Sequence, residues 1–102
     1  MAWYNYVACF FAGALLCNFV PHFIKGVAGD KFPTPFATPP AKGLSRPYLN
    51  VLWALFNLVI SMVLISVGKV SVDNTLSLVV MFLGFAIVSV FLSLAAETKH
   101  TT

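Results

Sequence analysis

The chain has 102 residues, of which 60% are hydrophobic and only 9% are charged, and its formal net charge is +3. Soluble domains carry about 25% charged residues, so a soluble chain of this length could not bury so much apolar surface. The six Lys and Arg residues are spread along the chain and do not form the basic patch of a nucleic-acid-binding protein. The composition predicts a single integral membrane domain over residues 1–102, with no nucleic-acid partner.

Three long apolar runs predict the fold. Each is about as long as the ~20 residues that a helix needs to cross a ~30 Å hydrocarbon core. The first run has no Lys or Arg up to Val20, unlike the basic start of a cleaved signal peptide, so we expect it to be retained. The predicted fold is all-α, a small polytopic integral membrane protein with three transmembrane helices. Its segments are a first span over about 2–24, a Pro-rich basic loop over about 25–46, a second span over about 47–67, an outer turn over 68–74, a third span over about 75–96 and a tail over 97–102.

The connections predict how the spans are arranged. The outer turn is so short that the second and third helices are expected to form a tight antiparallel hairpin. Basic residues favour the cytoplasmic side of a membrane, and here five of them fall on one side against Lys69 on the other. The N-terminus is therefore expected outside and the C-terminus in the cytoplasm, in a plasma membrane or a bacterial inner membrane. The five basic residues on the cytoplasmic side are Lys25, Lys31, Lys42, Arg46 and Lys99.

The long loop has a distinctive composition, because the segment 26–47 holds five of the six prolines. Regular helix is not expected across Pro33 to Pro40, where extended or polyproline II backbone is favoured. Two interpretations remain open, a connector that lies against the membrane and a docking segment for a partner protein. The residues expected to contact a partner or lipid, including anionic headgroups, are Lys31, Phe32, Phe36, Lys42 and Arg46.

Small side chains recur at helical spacing and predict close helix packing. In the first span they recur every four residues after Asn5. The third span has two such faces, one with Ser77 and Gly84 and a nearly opposite one with Ala86 and Ser89. One face can pack within the chain, and the second suggests a neighbour outside it. The residues predicted to pack helices closely are Cys9, Gly13, Cys17, Ala54, Gly84, Ser89 and Ser93.

Five polar residues are predicted to form one cluster, because the first two helices run antiparallel and bring their polar positions to similar depths. The favoured interpretation is hydrogen bonding between helices, and the other is the lining of a pocket or pore. An unpaired amide near the middle of the bilayer is costly, so these side chains should face protein or water. The cluster comprises Asn18, His22, Asn50, Asn57 and Ser61.

The functional chemistry expected from the sequence is limited. Cys9 and Cys17 lie about 12 Å apart along a helix, too far for a disulfide, and no nucleophile motif or HExxH motif occurs. We therefore predict no enzyme, catalytic residue, cofactor or metal site. The leading hypothesis is an accessory subunit that stabilises or regulates a larger membrane complex. The alternative is a homo-oligomeric channel or transporter for an uncharged solute, lined by Asn and Ser side chains.

Overall fold

The computed structural model describes residues 2–37, 39 and 43–100, with side chains up to Glu97. Three helices carry the fold, and each is long and apolar enough to span a membrane. The longest dimension, 43 Å, matches the ~40–45 Å thickness of a bilayer with its headgroups. The coarse prediction of an all-helical protein with three candidate transmembrane helices is therefore confirmed, and a membrane location is consistent with it. The elements are α1 (Trp3–Val27), β1 (Phe32–Pro33), β2 (Leu44–Ser45), α2 (Pro47–Val67) and α3 (Thr75–His100).

Helix α1 continues past the predicted end of the first span. Pro21 lies inside the helix, where its missing N–H removes only one backbone hydrogen bond. Lys25 lies in the last turn, where a cation is favourable at the negative end of the helix dipole. The helix ends at Val27, and two residues later Gly29 adopts a left-handed φ of 79°, so that the amide of Asp30 donates to the Lys25 carbonyl at 2.9 Å.

The three helices are arranged around α1. It packs against both α2 and α3, whereas α2 and α3 hardly touch each other. The share of each candidate span buried inside the chain follows this arrangement, at 33% for α1, 22% for α2 and 6% for α3. The predicted hairpin of the second and third helices is not confirmed, because α1 and not α3 is the helix that packs along α2.

The loop between α1 and α2 folds back into a two-stranded clip, described over residues 32–37, 39 and 43–45, which we call the β clip. Its strands pair antiparallel, with Phe32 opposite Ser45 and Pro33 opposite Leu44. The hydroxyls of Thr34 and Ser45, both buried, lie 2.6 Å apart and hydrogen-bond across it. The sequence indicated extended backbone here but not this pairing. Lys42, one of the predicted contact residues, lies outside the described residues.

The turn between α2 and α3 begins at Gly68, and this glycine is required by packing. Its φ of −76° is ordinary, and the left-handed residue of the turn is Lys69. A Cβ on Gly68 would lie 2.8 Å from the sulfur of Cys9 and 3.0 Å from the backbone oxygen of Asn5. Gly68 therefore lets the end of α2 approach the start of α1 closely.

Candidate functional site

Side-chain hydrogen bonds join α1 to the α2 segment along its whole length, and we call this set the polar ladder. Because the helices are antiparallel, residues early in α1 pair with residues late in α2, and the reverse holds at the other end. The five contacts are Asn5 Nδ2 to the Val67 carbonyl (2.9 Å), Cys9 Sγ to the Gly68 carbonyl (3.3 Å), Ser61 Oγ to the Ala12 carbonyl (2.7 Å), Asn18 Nδ2 to Asn57 Oδ1 (3.1 Å) and His22 Nδ1 to Asn50 Oδ1 (2.8 Å).

All five residues of the predicted polar cluster belong to the polar ladder, but they make three separate contacts along it, Asn18 with Asn57, His22 with Asn50, and Ser61 with the Ala12 carbonyl. Asn50 and Ser61 are fully buried and Asn57 is 2% exposed, on the face of α2 that also holds the buried Ala54. The oxygen Oδ1 of Asn57 accepts from Asn18, and its amide nitrogen Nδ2 donates to the Trp53 carbonyl at 2.7 Å. Among the described residues, every fully buried side-chain nitrogen or oxygen has a hydrogen-bond partner. The cluster therefore has the properties of an interhelical contact.

Asn50 makes most of the side-chain contacts at the end of the polar ladder that lies next to the loop. Its Nδ2 lies 3.0 Å from the Phe32 carbonyl and 3.2 Å from the carbonyls of Ser45 and Arg46. Carbonyls only accept, so Nδ2 faces them and Oδ1 accepts from Nδ1 of His22. One amide thus ties both strands of the β clip and α1 to the first turn of α2.

Aromatic contacts hold the β clip against the helices. The ring of Phe32 meets His22 edge-on with centroids 5.2 Å apart, and Phe36 meets Trp53 edge-on at 5.1 Å. Trp53 also stacks on Phe56 at 5.7 Å. Two of the predicted loop contacts, Phe32 and Phe36, therefore pack on the chain's own helices, although Phe36 remains more than half exposed.

Helix α3 meets α1 most closely at two glycines. A Cβ on Gly13 would overlap the carbonyl oxygen of Met81, and one on Gly84 would overlap that of Phe10. Each glycine therefore lies directly against the other helix's backbone, as in close crossings of membrane helices. Of the four small residues predicted on α1, Asn5 and Cys9 face α2 and Gly13 faces α3, so they serve two interfaces.

Beyond this crossing, α1 and α3 border a cleft of about 860 Å³ that reaches the β clip. Three predicted packing residues, Cys17, Ser89 and Ser93, are among its lining, and of these Cys17 is buried within the chain. The Ser89 hydroxyl donates to the Ala86 carbonyl of its own helix at 2.8 Å. Lys25 and Lys31 also line the cleft. We refer to this space as the α1–α3 cleft.

Several residues of these sites were not predicted. The contact between Thr34 and Ser45 was not predicted, because it depends on the folding of the loop. Lys25 was expected only at the membrane boundary, yet its position one turn after Pro21 places it on the cleft wall. The predicted contact residue Arg46 lies just before α2, where its carbonyl accepts from Asn50.

Comparison with known proteins finds no matching family model, no matching curated protein and no matching solved structure. Among the described residues, no group of three or more His, Cys, Asp or Glu side chains could hold a metal ion. The helix surfaces, the polar ladder and the α1–α3 cleft are the features of this chain that bear on its function.

Proposed function

We propose that this chain is a small accessory subunit that packs against a larger membrane complex through α3 and stabilises or regulates it. We propose no catalytic activity for it. Its partners are lipids and other membrane subunits. The supporting observation is the unequal burial of the three helices within the chain, described next.

Helix α3 has the highest mean hydropathy of the three candidate spans, 2.7, and the smallest buried share, 6%. A stripe of large aliphatic residues runs along its exposed side at intervals of three and four, the spacing at which helices interlock. A bilayer tolerates such a stripe, so hydropathy alone requires no partner. Its regular spacing supports a helical neighbour. This α3 stripe comprises Leu76, Val79, Leu83, Ile87 and Val90.

The hydrogen bonds of the polar ladder favour packing over the alternative of a pore. Asn18, Asn57 and Ser61 all bond within one chain, and turning them to a shared axis would break those contacts. The variant Asn57→Leu separates the two hypotheses. In a packing role it weakens folding or expression, whereas in a pore it changes solute flux and leaves assembly intact.

For the orientation, we propose an outside N-terminus and a cytoplasmic C-terminus in a plasma or bacterial inner membrane. The described basic side chains Lys25, Lys31 and Arg46 lie at the β-clip end, and Lys69 lies in the turn at the other end. Single cysteines at positions 31 and 69 test this with a membrane-impermeant thiol reagent on intact cells, in a Cys9→Ala and Cys17→Ala background. Labelling at 69 and not at 31 is expected, and the reverse contradicts the orientation.

The experiment for the accessory role is photo-crosslinking in the native membrane, followed by mass spectrometry. The probe residue replaces Leu83, which is 47% exposed on the α3 stripe, and the matched control replaces Val59, which is 56% exposed on α2. A crosslink from position 83 to one larger membrane protein, without the same product from position 59, supports the proposal. Crosslinks only between copies of this chain favour the homo-oligomer, and lipid adducts alone at both positions contradict both hypotheses.

A further inference from the structure

We propose that the α1–α3 cleft binds one anionic phospholipid, with its phosphate at Lys25 and Lys31 and an acyl chain between α1 and α3. This site lies on a different side of α3 from the α3 stripe. The proposal therefore does not rest on the accessory role, and each of the two proposals can be tested and contradicted independently of the other.

The shape of the cleft follows from the single close crossing of α1 and α3. Gly13 and Gly84 bring the backbones together there, and no second glycine contact between these helices continues the approach toward the β clip in the described residues. The space that opens is about 860 Å³, within the ~300–1,000 Å³ typical of small-molecule sites. The β clip forms its end wall with Phe32, Pro33 and Leu44.

The chemistry of the walls changes along the cleft. Phe85 and Leu92 of α3 and Trp53 of α2 give it an apolar interior suited to hydrocarbon. At the β-clip end the lining includes the ammonium side chains Lys25 and Lys31, both exposed. An apolar groove that ends at two cations complements an amphiphile whose headgroup is negative.

The charge selects an anion over a zwitterion or a neutral lipid. The described lining of the cleft contains both lysines and no carboxylate. Asp30 and Glu97 lie at the same end of the molecule but do not line the cleft. Lysine is a common phosphate ligand, and each basic residue near a membrane surface favours anionic lipid about fivefold.

The hydrocarbon walls distinguish a phospholipid from a free phosphate ion, which would gain nothing from Trp53, Phe85 or Leu92. They also distinguish it from a partner helix, whose apolar surface would leave both ammonium groups without a counter-charge. A phospholipid satisfies the apolar interior and the basic end together.

The test is native mass spectrometry of the full chain in detergent, titrated with phosphatidylglycerol or with phosphatidylcholine of the same acyl chains. We expect one molecule of phosphatidylglycerol to bind tightly and phosphatidylcholine to bind more weakly. Replacing both lysines, as Lys25→Gln with Lys31→Gln, should reduce the preference for phosphatidylglycerol about thirtyfold, and each alone about fivefold.

Two controls remove one charge outside the cleft, Arg46→Gln at the same end and Lys69→Gln at the other. Because neither residue lines the cleft, each replacement should change the preference for phosphatidylglycerol by clearly less than the fivefold expected of Lys25→Gln. A separate variant, Ser93→Phe, fills the cleft without changing charge and should reduce binding of both lipids. Helical content by circular dichroism verifies that each variant is folded.

Several results would overturn the proposal. If the unaltered protein binds the two lipids equally, charge does not select the lipid. If Arg46→Gln reduces the preference for phosphatidylglycerol as much as Lys25→Gln does, the preference comes from the general surface charge and not from the cleft. Displacement of bound phosphatidylglycerol by millimolar inorganic phosphate assigns the site to free phosphate. Unchanged lipid binding by Ser93→Phe places the lipid outside the cleft.

Discussion

Helix α1 binds its two neighbours by different means, and the difference explains the shape of the molecule. Its contact with α2 is the polar ladder, whose hydrogen bonds run from Asn5 to His22. Its contact with α3 is a backbone crossing at Gly13 and Gly84. Hydrogen bonds spread along a helix fix its register over the whole length, whereas the α1–α3 contact is closest where each glycine meets the other backbone. The α1–α3 cleft lies beyond this crossing.

The polar side chains of the two outer helices account for this contrast. Helix α2 offers amides and a hydroxyl that reach α1. Two hydroxyls of α3 bond instead to nearby carbonyls of the same segment, Ser89 to Ala86 at 2.8 Å and Ser77 to Asn74, just before the helix, at 2.7 Å. Between helices in lipid, where apolar burial gives little net drive, α3 relies on close van der Waals contact.

The largest effect is expected from breaking the glycine crossing with Gly13→Leu. A Cβ alone already overlaps Met81's carbonyl, so the leucine must separate the backbones, at a cost of about 3 kcal/mol. The unfolding free energy in bicelles and a spin-label distance between α1 and α3 measure it. The matched control is Phe11→Leu on the exposed side of α1. An unchanged α1–α3 distance would contradict the crossing.

The next effect is expected at the loop end of the polar ladder, with Asn50→Leu. It leaves His22 and the clip carbonyls without their partner, and a buried group left unsatisfied costs about 2 kcal/mol. The β clip should loosen, so trypsin should cleave after Lys31 faster. Leu52→Ala, on the exposed face of α2, serves as the control and should leave the rate unchanged. Equal cleavage rates in all three proteins would show that Asn50 does not hold the clip.

A smaller effect on stability is expected from removing one hydrogen bond of the polar ladder, the one between Asn18 and Asn57. A double-mutant cycle with alanine at each position should give a coupling of about 0.6–1.7 kcal/mol, the range for hydrogen bonds between membrane helices. The control cycle pairs Asn18 with Asn5, which lies more than three helical turns away and should be additive within about 0.5 kcal/mol. Equal couplings in the two cycles would argue against a direct bond.

The smallest effect is expected on the cleft wall. Ser93→Ala should change the unfolding free energy by less than about 0.5 kcal/mol, because Ser93 is exposed in the cleft. Ser61→Ala, the same replacement in the polar ladder, should cost about 0.6 kcal/mol or more through the lost bond to Ala12. If Ser93→Ala proved the more costly of the two, α3 would be held by side chains and the contrast between the interfaces would fail.

Much of the polar ladder could be anticipated from spacing. Asn50, Asn57 and Ser61 are separated by seven and four residues, so they share a helix face, and the antiparallel direction of α1 brings Asn18 and His22 to the same depths. The hydrogen bonds from Asn50 to the loop could not be predicted, because their carbonyl acceptors belong to a segment whose path depends on the β clip. The cleft could not be predicted either, because the spacing of Ser89 and Ser93, which line it, is typical of a helix-packing face.

The sequence by itself determined that the chain is all-helical, with three helices able to span a membrane, because hydropathy and length are local properties of each segment. Only the tertiary structure decided which helices touch. The short turn suggested that α3 packs on α2, but α1 packs between them, since it has polar partners for α2 on one side and Gly13 for α3 on another. Such matching depends on two surfaces at once, and no single segment contains it.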